Sequence, residues 1–150
     1  MLMTQSQWSF IDYYWLKYIR FFMANFIVGA LAFDAYTTGI RRFPWYYSDW
    51  GAFLTMGYWI LLVLQYCASD YDTTYFDFFV GTMFEVVYPV EMLITLIFWT
   101  TDYKPGTFDW SNPNTFYRPL VLHVMPIIAF TIEWFLNGRL WDISTSFYLS

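Results

Sequence analysis

Four apolar stretches, each near the length of helix that crosses a bilayer, govern what this chain can become. They run from about 16 to 36, 50 to 68, 80 to 101 and 119 to 137. A hydrocarbon core about 30 Å thick takes about 20 helical residues. Membrane strands would be shorter and would alternate polar with apolar side chains, which these stretches do not do. The expected fold is an all-α integral membrane protein. Four transmembrane helices form a bundle, in a single domain over residues 1–150, with short interfacial segments at the N- and C-termini.

The connections fit that division. The first holds Gly39 and Pro44, the second is short and acidic (SDYDTTYFD), and the third holds Lys104-Pro105-Gly106 and Asn112-Pro113. These are turn signals, and Asn137-Gly138 is a helix stop. The tail that follows, NGRLWDISTSFYLS, reads as a short amphipathic piece lying at the interface.

Composition narrows the setting. Hydrophobic residues make up 59% of the chain and charged residues 13%, against about 25% charged in soluble domains. Aromatics reach 27%, with 17 Phe, 14 Tyr and 9 Trp. Tyr and Trp favour the membrane–water boundary, so this load implies several such boundaries or many packed neighbours. A net charge of −5 excludes nucleic acid as a partner, because phosphate binding needs a basic patch. The single cysteine, Cys67, forms no internal disulfide. The N-terminus lacks the basic start and unbroken apolar core of a secretory signal, and from Met1 we expect no presequence to have been removed. Four spans put both termini on one side. Lys17, Arg20 and Arg139 on that side face Arg41, Arg42, Lys104 and Arg118 on the other, too even a division to orient the chain.

Polar residues at membrane depth are costly, and each needs a reason. Asn25, Gln65 and Thr131 are expected to bond neighbouring helices or to sit near helix ends. Asp34, near a helix end, is expected to pair with Arg41 or Arg42. Glu85 and Glu91 are six residues apart and so point to different faces of the third helix. Pro89, between them, is expected to kink it. One histidine and one cysteine cannot build a zinc site, no Glu-x-x-His occurs, and the glycines form no phosphate loop, so no metal or other cofactor is expected. A lipid or quinone pocket needs only apolar walls and a few polar groups. Glu85, Pro89, Glu91, Trp99 and Glu133 are the candidates to line one.

The second span carries W-x-x-F-L-T as Trp50, Phe53, Leu54 and Thr55, the third carries PVEMLITLIFW from Pro89 to Trp99, and the fourth carries His123 with Ile132-Glu133 after it. Together, over residues 45–136, these resemble the androgen-induced membrane hydrolase family, and more distantly the rolling-stone family. Members of the first look like multi-pass hydrolases of fatty acid esters of hydroxy fatty acids. The resemblance implies a nucleophile at Thr55 and a base at His123. A neutral imidazole can take a hydroxyl proton, provided that the two spans bring the pair within hydrogen-bond reach. Glu133 lies ten residues beyond His123, about 80° around the helix and about 15 Å along it, so it is not expected to touch the same ring. The family carries further spans after the histidine helix, and this chain reads as truncated there.

Three functions compete. The leading expectation is an accessory, structural subunit of a large membrane assembly, with other membrane subunits and bound phospholipids as partners. The mitochondrial respiratory chain of the inner membrane is the first choice, because such complexes are rich in small helical subunits. The alternatives are a Thr55/His123 lipid-ester hydrolase and a lipid- or quinone-binding module.

Overall fold

In the computed structural model of the chain, residues 8, 10–39, 47–67, 74–104, 111 and 113–137 are described. Arg41, Arg42, most of the connecting loops and the C-terminal tail lie outside them. All regular structure among the described residues is helical. The helices are α1 (Tyr13–Thr38), α2 (Tyr47–Cys67), α3 (Thr74–Ile97), α4 (Pro113–His123) and α5 (Met125–Leu136). A π-helical turn, Phe98–Asp102, continues α3. Four spans are long and apolar enough to cross a membrane, the fourth being α4 and α5 together from Phe116 to Leu136. The protein is an all-α membrane protein.

The helices begin three to six residues earlier than hydropathy alone implies, because their first turns are polar or aromatic and are set by local chemistry. Asp12 caps α1 by accepting a hydrogen bond from the Trp15 amide at 2.9 Å, which satisfies one of the orphan donors of a first turn. Gly39 ends α1 with a φ of 85°, and its amide closes onto the Ala35 carbonyl at 3.0 Å. That backbone region favours glycine.

The expected single fourth helix is two. The break falls at Val124, whose φ of −116° departs from helical values. Pro126, two residues on, has no amide proton to give, and its ring crowds the Leu122 carbonyl. The chain still continues in one direction, since the Val124 amide reaches Leu120 O and the Ile128 amide reaches Val124 O, each at 3.1 Å. The Thr95 hydroxyl, from α3, donates to the His123 carbonyl at 2.7 Å within the turn that the proline opens. Pro89, by contrast, sits inside a helix that runs unbroken through it.

Each helix packs on its sequence neighbour, and the fourth span closes the bundle against α1 and α3. The centre is aromatic. Phe130 of α5 meets Tyr58 and Trp59 of α2 and Phe84 of α3, with ring centroids 5.1, 6.3 and 5.6 Å away. These tilted and edge-on pairs suit ring quadrupoles. Other aromatics turn outward: Tyr14, Tyr18, Phe22, Phe26 and Phe33 line the exposed side of α1.

Candidate functional site

Three polar layers cross the bundle. At the end where α1 begins and α5 finishes, Arg20 is fully buried and forms an ion pair with Glu133 through both Nε and a terminal nitrogen. The Arg20 guanidinium also donates to the Tyr66 hydroxyl at 2.8 Å, and the Asn137 side chain donates to Glu133 at 3.2 Å. Nearby, the Gln65 amide donates to the Asp77 carboxylate. Arg20 is thus an internal tie between α1 and α5, not the boundary cation that its sequence position implied. Glu133 is its counter-ion and is not among the residues that line the cavity between α2, α3 and α4.

In the middle layer, the Thr55 hydroxyl donates to Glu91 Oε1 at 2.6 Å. Both residues are fully buried. Gly51 makes room for this contact: a Cβ there would lie 2.9 Å from Glu91 Oε1 and 2.7 Å from Ile94 Cδ1. Glu85, six residues earlier on α3, faces outward and is exposed, as does Pro89. The two glutamates are on different faces, as their spacing requires.

At the opposite end, Arg118 of α4 lies 3.4 Å from Asp49 of α2 and 3.6 Å from Asp34 of α1. Both carboxylates are buried. The Tyr117 hydroxyl donates to Ala30 O at 3.1 Å, which ties α4 to α1. Asp34 therefore meets Arg118 across the bundle, whereas the expected partners Arg41 and Arg42 lie outside the described residues.

Beside this end, a cavity of about 630 Å³ opens between α2, α3 and α4. Its walls include Trp50, Gly51, Leu54, Val90, Leu93, Ile94, Ile97 and Leu122, with Ser48, Asp102, Arg118 and His123 among the polar groups. His123 is 7% exposed. Its ring lies flat on Phe98, with centroids 3.8 Å apart and planes 7° from parallel. Its Nδ1 makes no hydrogen bond to the protein. Phe98 opens the π-helical turn, in which the Tyr103 amide reaches back to Phe98 O at 2.8 Å. Such turns add a residue to a helix and swing side chains out of register, and they recur at functional sites.

Of the seven site residues expected from sequence, only His123 lines this cavity. Thr55 and His123 both lie inside the bundle, but no hydrogen bond joins them, because the hydroxyl is directed to Glu91. Trp99 packs on Phe98 and Tyr103 and stays outside the lining. Its other polar lining residues escaped sequence reading because they come from helix ends. Ser48, Asp102 and Arg118 resemble ordinary boundary residues until three ends converge.

Chemically, a carboxylate could accept the Thr55 proton. Thr55 is fully buried and is not among the residues that line the cavity. The cavity itself can hold an apolar chain with a polar head at its end. No family model, curated protein or solved structure matches the chain.

Proposed function

We propose that the protein is an accessory, structural subunit of a larger membrane assembly. The observation that carries this reading is Glu85. It lies ten residues from the start of the Tyr75–Asp102 span and seventeen from its end, about 15 Å and 25 Å along the helix axis. The span is longer than a hydrocarbon core of about 30 Å, and centring it there places Glu85 about 10 Å inside one boundary. The side chain is exposed, and no described residue bonds it. An ionised side chain at a helix centre costs about 2.5–3.5 kcal/mol to insert, and such groups face protein or water instead of lipid. A neighbouring helix that offers a hydrogen-bond donor or a cation at this depth removes the penalty.

The other internal charges support the same reading. Arg20–Glu133 and Arg118 with Asp34 and Asp49 are ties within the bundle, which leaves Glu85 as the group that looks outward. Phospholipids then cover the remaining aromatic surface. Our choice of membrane is the mitochondrial inner membrane, where respiratory complexes are rich in small helical subunits. The hydrolase reading has less support, because the Thr55 hydroxyl is engaged by Glu91 and Thr55 is not among the residues that line the cavity.

The test is native electrophoresis of membranes solubilised in mild detergent. The 18.2 kDa chain should migrate in a complex well above its own mass, and Glu85→Leu should release it. A chain that migrates alone, with Glu85→Leu behaving identically, contradicts the proposal.

A further inference from the structure

The cavity beside α4 stands apart from the subunit reading, since that reading rests on Glu85, which does not line it. We propose that it holds one chain of a membrane amphiphile whose head is uncharged and carries oxygen, of the kind found in a diacylglycerol or a long-chain quinone.

Size and shape come first. A volume of about 630 Å³ lies within the range of about 300–1,000 Å³ typical of ligand sites. Along α3 the lining runs from Asp102 down to Val90, about 18 Å at helical rise and so about half of a bilayer. The walls at depth are aliphatic. Trp50, Leu54, Leu93 and Ile97 line the cavity and are also exposed on the outer surface of the bundle. An aliphatic chain therefore enters sideways from hydrocarbon without passing through water.

Charge selects the head. Arg118 is the one cation among the lining residues. It is already faced by two buried carboxylates, Asp49 at 3.4 Å and Asp34 at 3.6 Å. Asp102 puts a carboxylate in the wall itself, and Lys104, the described cation nearest to it in sequence, is exposed. A phosphate or carboxylate head would have to displace those carboxylates from the guanidinium in a region of low dielectric. An uncharged head does not compete in this way. Ser48 and His123 offer it neutral hydrogen-bonding groups, and the Phe98–His123 stack gives a flat wall.

The experiment uses the full chain, purified in detergent and mixed with equal amounts of dioleoylglycerol, a long-chain benzoquinone and dioleoyl phosphatidate, with retention read by native mass spectrometry. At least one uncharged probe should be retained at least tenfold more than phosphatidate, and the two uncharged arms show which source binds. Leu93→Trp and Ile97→Trp each fill the cavity from a tolerant outer position and should lower that retention at least tenfold. Phosphatidate retained as well as both uncharged probes overturns the assignment of the head. Retention that both cavity-filling variants leave unchanged overturns the site itself. Neither result bears on whether the chain is a subunit, which the native migration of Glu85→Leu decides separately.

Discussion

Arg20 shows what a single residue does to a bundle of this kind. Its charge is affordable at depth only because Glu133 meets it with two hydrogen bonds and Tyr66 takes a third. Removing one partner strands the other, so Arg20→Met should lower stability by about 3–5 kcal/mol, read as a shift of the unfolding midpoint in a denaturing-detergent titration. The double variant Arg20→Met/Glu133→Leu should recover most of the loss. Thr55 makes a smaller claim of the same form. Thr55→Ala leaves Glu91 Oε1 without its donor and should cost about 1–2 kcal/mol, and Thr55→Ser should restore most of it. Loss of lipid-ester hydrolysis without loss of stability in Thr55→Ala would instead revive a catalytic role. The sequence shows that these residues are polar and within spans. It does not show which charges meet, because Arg20 and Glu133 are 113 residues apart and pairing is decided by how the helices rotate against each other.

Among elements, the fourth span departs furthest from the sequence reading. Its hydropathy describes one helix, and Pro126 makes it two. The consequence is local: the turn around Val124 exposes the His123 carbonyl to Thr95 and sets the imidazole flat against Phe98. The chain has one histidine, so its ring gives a single, assignable set of resonances. Ring current from Phe98 should shift the His123 ring protons upfield, and both Phe98→Leu and Pro126→Ala should move them back toward free-histidine positions. Ring protons already at free positions in the unaltered chain would show that the stack does not form. The four spans were legible because a run of apolar residues is a one-dimensional signal. Their starts were less so, since Asp12 caps α1 and the first turns of α2 and α3 carry Asp49 and Asp77, polar chemistry that hydropathy averages away. The π-helical turn has no signature in composition at all. The cavity head was hidden for a related reason, because it joins the ends of three helices that are distant in sequence.

At the scale of the whole molecule, the bundle settles its charges inward and its aromatic rings both ways. The internal ties join the helices of the bundle, and at Gly51 α2 packs tightly against Ile94 and the Glu91 carboxyl group of α3. Gly51→Ala should therefore cost about 1–3 kcal/mol by overpacking, since the new methyl meets Ile94 and Glu91. Gly29→Ala, which meets nothing within 4 Å, should leave stability unchanged or raise it. Among the described residues of α3, Glu85 is a charged group that faces outward with no bond to another described residue. A photo-crosslinking side chain placed at Val86, beside Glu85 on the exposed side of α3, tests this in intact membranes. Our account predicts a covalent adduct with another membrane protein that disappears in the Glu85→Leu background. Adducts with lipid alone, in both backgrounds, would contradict it.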